Sequence, residues 1–177
     1  MTPPINVLVT ALEQRARPSL PKAPAPPHLR TALLRAERPP LHFYRFLYDA
    51  VGRPYNWVSR KQMSDAELTE IVHDAHTHIY VLMIDGAPGG MAELSFRAQP
   101  VGELSFFGLT PERIGCGLGR FFLTQVIELA WDQGISNLTV ETCTLDHPVA
   151  LPLYQKMGFT VVSRRRGLAP TLAESHS

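Results

Sequence analysis

Net charge is almost absent from this chain. Seventeen Lys and Arg offset sixteen Asp and Glu across 177 residues, a formal charge of +1. Such balance leaves no electrostatic case for nucleic acid as an obligate partner, because phosphate binding needs a concentrated cationic excess. Cysteine is scarce as well. Cys116 and Cys143 stand in no metal-ligand spacing and build no disulfide framework, a usage that fits a reducing cytoplasm. No apolar run approaches the ~20 residues of a membrane span, so no membrane partner is expected. The opening Met1-Thr2-Pro3-Pro4 lacks the basic segment and apolar core of an export signal. What is there, 45% hydrophobic and 19% charged, suits one globular domain with a real core.

Proline is plentiful and unevenly placed. Pro3, Pro4, Pro18, Pro21, Pro24, Pro26 and Pro27 punctuate a Pro-rich arm over residues 1–28, and Ser19 to Pro27 cannot be regular helix or central strand. Within it, Ile5 to Leu12 is apolar and β-branched enough for one strand. Two readings stay open: a mobile arm, or an added edge strand supplied in cis or by a second subunit, which would make a homodimer.

Beyond the arm, helix and strand signals alternate. A strand spans Leu29 to Glu37, and Pro40 opens a helix from Leu41 to Val51. Ser64-Asp65-Ala66-Glu67 is a capping-box pattern that starts a helix running to His73. Strands follow at Ile79–Ile84, Gly90–Phe96 and Glu103–Leu109, the first two joined at Asp85-Gly86. A helix then carries Leu118, Phe122, Val126, Leu129 and Ala130 on one face and stops at Gly134. A strand at Leu138–Cys143, a short helix around Tyr154 and a strand at Phe159–Arg164 complete a mixed α/β domain over residues 29–166, with 167–177 as a tail.

The strand Glu103–Leu109 runs into Pro111-Glu112-Arg113-Ile114-Gly115-Cys116-Gly117-Leu118-Gly119-Arg120. Three alternate glycines strip Cβ atoms from a turn that opens directly into a helix, whose first amides are unpaired and whose dipole is positive at that end. Strand, turn and helix together suit a diphosphate. A P-loop is excluded, because Gly119-Arg120-Phe121 supplies neither its lysine nor its hydroxyl. A dinucleotide fingerprint is excluded by Arg120 in place of its third glycine. From the loop alone, a plain strand-to-helix turn stays open.

Downstream, Asp146-His147-Pro148-Val149-Ala150-Leu151-Pro152-Leu153-Tyr154-Gln155-Lys156-Met157-Gly158-Phe159 reads as a short helix with a Gly–aromatic stop. Loop and helix in this order resemble the GNAT N-acetyltransferase superfamily, over roughly Leu33 to Arg166. Ile114 to Gly119 resembles that family's Q/R-x-x-G-x-G/A loop, and His147 to Phe159 its N-x-x-A-x-x-x-Y-x-x-x-G-F helix. Two positions depart: Ile114 stands where Gln or Arg is usual, and His147 where Asn is usual. The resemblance implies a mixed, mostly antiparallel central sheet flanked by helices, acetyl-coenzyme A as cosubstrate, no metal, and an amine acceptor. It places the coenzyme along Phe107, Gly108 and Leu109, then Ile114, Gly115, Cys116, Gly117, Leu118, Gly119 and Arg120, with His147 and Tyr154 opposite.

Acetyl transfer to an amine needs a base and an acid. An alkylammonium with pKa near ~10.4 must lose a proton before it attacks. Glu103 resembles the general base of several family members and is the first choice, acting through a water. Glu93 is second, Glu141 third, and His147 an alternative base. Tyr154, four residues before Gly158, resembles the family's proton donor to the coenzyme sulfur. Asp146 and His147 are expected to cap the Tyr154 helix, and Pro152 to distort its first turn. The aromatic stretch Leu41–Arg60, with His42, Phe43, Tyr44, Phe46, Tyr48, Tyr55, Asn56 and Trp57, is expected to wall the acceptor pocket. His73-Asp74-Ala75-His76-Thr77-His78 is read as a solvated loop rather than a metal site, and Cys116 as incidental to chemistry. The competing function is a non-catalytic acyl-coenzyme A sensor or interaction module.

Overall fold

A computed structural model describes residues 3–171. Its strands are β1 (Ile5–Gln14), β2 (Thr31–Ala36), β3 (Thr77–Ile84), β4 (Ala87–Ala98), β5 (Val101–Leu109), β6 (Asn137–Cys143) and β7 (Thr160–Ala169). Its helices are α1 (Leu41–Gly52), α2 (Asp65–Val72), α3 (Leu118–Trp131) and α4 (Ala150–Lys156). The strands form one sheet in the order β2-β3-β4-β5-β6-β1-β7. Every pairing is antiparallel except β5 with β6.

Helices cover both faces of the sheet, which is why β3 is buried at nearly every position instead of alternating. On one face α3 buries Phe122, Leu123, Val126, Ile127 and Ala130 against Leu82, Leu94, Leu104 and Val140. On the other, α1 sets Tyr44, Leu47, Tyr48 and Val51 against Ile79, Val81 and Met91, closed by Leu68 and Val72 of α2. The expected capping box starts α2: Ser64 Oγ accepts the Glu67 N–H, and Glu67 Oε2 accepts the Ser64 N–H at 2.8 Å.

The parallel pairing of β5 and β6 is short. It runs from Val101 with Asn137 to Leu104 with Val140 and then ends. Next to this point Glu93 faces Phe106 while Leu94 faces Leu104, so Ser105 is a bulge on β5. The extra residue increases the local twist and aims the rest of β5 away from β6. The sheet therefore opens between residues 105–109 and 141–143.

Three features differ from the sequence reading. β1 is an interior strand, not an edge: it pairs with β6 from Val9–Cys143 to Gln14–Leu138 and with β7 from Ile5–Ala169 to Glu13–Thr160. β7 reaches Ala169, three residues into the expected tail, because β1 offers a partner along its whole length. α4 begins at Ala150, not at the Asp146–His147 pair, and no side chain caps it. Asp146 instead closes the end of β6, where Oδ2 accepts Thr142 Oγ1 at 2.7 Å and the Cys143 N–H at 2.9 Å. With this later start Pro152 falls in the first turn, where its missing N–H is not required.

The proline stretch between β1 and β2 runs along α3, from its C-terminal end to the turn that opens it. Arg17 pairs with Glu128 and Asp132 of α3, and Leu20 and Leu29 pack on the core. Pro18 lies beside Gly158, and Pro26 beside Gly117.

Candidate active site

The opening in the sheet is a cleft of about 880 Å³. One end is the glycine turn. Gly115 and Gly117 adopt φ of +76° and +78°, a left-handed backbone that side-chain-bearing residues rarely take. Gly117 is the N-cap of α3 and brings no side-chain hydrogen bond to the helix start. The first-turn N–H groups of Leu118, Gly119 and Arg120 therefore have no intrahelical acceptor and stand at the positive end of the dipole. Leu118, Gly119 and Arg120 all line the cleft. These residues fit the diphosphate of coenzyme A: the chemistry of the turn is backbone donors, open space and Arg120.

Phe107, Gly108 and Leu109 of β5 continue the wall from this turn, and Leu153, Tyr154 and His147 face them. Tyr154 is buried, with its ring edge-on to Phe159 at 5.7 Å. Burial, and then the nearby Asp146 carboxylate, push its phenol above the usual value, so it keeps its proton at every physiological pH. His147 Nδ1 accepts the Val149 N–H at 3.1 Å, and its ring meets Tyr55 edge-on at 6.3 Å.

The other end of the cleft is built by distant parts of the chain. Tyr55, Trp57 and Ser59 come from the segment after α1, Val7 and Val9 from β1, Arg165 and Leu168 from β7. Asn56, in a left-handed conformation, donates from Nδ2 to the Pro170 carbonyl at 2.8 Å and ties that segment to the end of β7. Trp57 and Phe106 pack at 5.0 Å, and Arg60 lies 5.2 Å from the Phe106 ring centre.

Of the residues singled out from the sequence for coenzyme contact, all but Cys116 line this cleft. The Cys116 thiol turns back toward the Glu112 and Ile114 carbonyls. Among the base candidates, Glu141 and His147 line the cleft, whereas Glu103 and Glu93 do not. Glu103 is exposed and accepts the Ser105 hydroxyl at 3.3 Å, and Ser105 itself lines the cleft. Glu93 is fully buried, held by Arg60 Nη2 at 2.6 Å and by the Tyr44 hydroxyl. Of the expected acceptor-wall residues, Tyr55 and Trp57 reach the cleft, while Tyr44 and Tyr48 pack between α1 and the sheet.

The histidine run disperses. His73 Nε2 meets the Pro39 carbonyl at 2.8 Å, His76 turns to Asp74, and His78 is buried edge-on to Phe96. Burial, then Arg35, lower the pKa of His78 and favour its neutral form. Val7, Val9 and Leu168 were not singled out as site residues. The only sequence signal for them is the alternation of Val7 and Val9 within a strand whose partners lie more than a hundred residues away.

A mostly antiparallel sheet opened between its two parallel neighbours, with a glycine turn at the head of the opening, is the architecture of a coenzyme A-dependent acyltransferase fold. The family model for the acetyltransferase (GNAT) family matches residues 44–159, and the chain belongs to that family. No curated protein matches it. Among solved structures, it is similar to a GNAT-family acetyltransferase from Novosphingobium aromaticivorans, at 19% identity and TM-score 0.60, covering 93% of this chain and 64% of that one. It is similar to an aminoglycoside acetyltransferase from an uncultured soil metagenomic sample, at 12% identity and TM-score 0.58, covering 72% of this chain and 86% of the other. A third, aminoglycoside N-acetyltransferase AAC(6')-Iy in complex with coenzyme A, has 21% identity and TM-score 0.56, covering 77% and 91% of the two chains. At these identities the likeness is one of fold.

Proposed function

We propose that this protein transfers an acetyl group from acetyl-coenzyme A to a primary amine, by direct attack within a ternary complex. The observation that carries the reading is Tyr154: a buried phenol in the wall of the cleft that the end of β5 and the glycine turn also line. The coenzyme supplies the thioester. Backbone N–H groups at the end of β5 and in the first turn of α3 would hold it, the former as donors to a thioester carbonyl. Such donors are commonly worth about 3 kcal/mol each in the transition state. As the amine nitrogen bonds to the acetyl carbon and the carbon–sulfur bond breaks, Tyr154 holds the proton that the departing thiolate takes.

The amine must also shed a proton. Glu103 is the proposed acceptor, reached through Ser105 and water, since Ser105 lines the cleft and donates to Glu103. Two neighbouring structures are aminoglycoside acetyltransferases, which supports amines as the acceptor class. The two free thiols support a reducing, cytoplasmic setting. No helix among the described residues is long and apolar enough to cross a membrane.

Acetyl-coenzyme A at ~100 times its dissociation constant should stabilise the fold by about 2.7 kcal/mol, read as a rise in melting temperature. Tyr154→Phe should keep that rise while lowering kcat by about 10²-fold, the ordinary yield of a general acid. Glu103→Gln should do the same. A rise in melting temperature without thiol release for any amine supports the sensor reading instead. No rise at all removes the coenzyme from the cleft.

A further inference from the structure

We infer that the acceptor end of the cleft takes a monoamine carried on an apolar, flat body, and discriminates against polycations. The inference rests on the acetyl-transfer reading above and adds the substrate class to it. A polyamine brings two or more ammonium groups into one site, and burying each requires an uncompensated carboxylate nearby. Among the described residues two carboxylates line the cleft, Glu141 and Asp146, and of these only Asp146 has no cationic partner, which suits one ammonium and not two. Glu141 is held in a bidentate pair by Arg165, at 2.7 and 3.0 Å. Asp146 is committed through Oδ2 to Thr142 Oγ1 and the Cys143 N–H.

The ion pair also has a defined place. Ala11 of β1 lies opposite Glu141 on β6, and Val9 opposite Arg165 on β7. The two side chains thus reach toward each other over β1, and they present the cleft with a neutral bridge rather than a negative patch. Around it the walls are Val7, Val9, Trp57, Phe106 and Leu168. Flat rings on one side and branched aliphatic groups on the other suit a single aromatic or aliphatic body. The same apolar walls disfavour the ammonium form of one bound amine and so favour the free base that attacks.

The test uses the full chain with acetyl-coenzyme A and reads thiol release with 2-phenylethylamine and with spermidine, alongside the coenzyme-induced rise in melting temperature. The expected result is kcat/KM at least tenfold higher for 2-phenylethylamine, with most of the difference in KM. Arg165→Ala should narrow that ratio several-fold by freeing Glu141 to meet a second ammonium. Both partners are about half exposed, so the variant should keep its fold. Preference for spermidine, no turnover of either amine by a protein that binds the coenzyme, or an unchanged ratio in Arg165→Ala overturns the inference. If acetyl-coenzyme A does not raise the melting temperature, the underlying acetyl-transfer reading fails instead.

Discussion

Glu93, Arg60 and Tyr44 show how a single buried charge shapes the acceptor side without touching the cleft. The Glu93 carboxylate is 1% exposed and the Arg60 side chain 15%. The Tyr44 hydroxyl donates to Glu93 and accepts from Arg60 Nε at 3.3 Å, which leaves every member partnered. Burial and the Glu93 charge together push the Tyr44 phenol far up, so it remains a donor. The network pins the segment carrying Trp57 and Ser59 to β4. Arg60→Ala would strand the carboxylate and should cost about 3–5 kcal/mol. The combined Arg60→Met, Glu93→Leu and Tyr44→Phe replacement removes all three polar groups and should cost far less. Urea midpoints measure both, and equal losses would contradict the account. None of this was legible in sequence: Glu93 was read there as the second candidate base because it is a carboxylate on the strand preceding that of Glu103. Its two partners lie 33 and 49 residues away, beyond any local pattern.

Elements were legible wherever the signal is local. The capping box at Ser64 placed α2. The 3.6-residue repeat through Leu118, Phe122 and Val126 placed α3, because that stripe must meet the sheet. α4 was misplaced at its start because an Asp before a helix is a cap only if its side chain faces forward, and Asp146 turns back to Thr142 and Cys143. The α3 turn offers a test with an internal control. Gly117 and Gly134 flank the same helix, with φ of +78° and +72° and no tight contact for an added Cβ. Gly117→Val and Gly134→Val should each cost about 1–2 kcal/mol from left-handed strain. Only Gly117→Val should also shrink the rise in melting temperature produced by acetyl-coenzyme A, since only that turn faces the cleft. Equal rises in the two variants would detach the turn from coenzyme binding.

At the scale of the whole molecule, the decisive feature is the seat of β1. Its apolar composition was readable, but its partners were not, because strand pairing over more than a hundred residues leaves no trace in either segment alone. Paired on both sides, β1 is the sole connection between β7 and the rest of the sheet. It also supplies Leu12, 1% exposed, to the main core, and Val7 and Val9 to the cleft wall. A mobile arm could be removed without consequence. A chain starting at Leu29 should instead lose the β6–β1 and β1–β7 ladders together, which uncovers the edge of β6 and leaves β7 with no partner. Loss of the Leu12 side chain alone corresponds to about 2–5 kcal/mol, and at this size that is a fall in melting temperature of about 5–20 °C. The truncated chain should fall further or fail to unfold cooperatively, and should lose acetyl transfer as the acceptor wall disappears. A synthetic peptide of residues 1–28 added in trans should restore part of the stability and activity by re-entering the gap between β6 and β7. Circular dichroism melts of the full chain, the truncated chain and the mixture decide it: a truncated chain that melts like the full one would show that β1 is dispensable to the sheet.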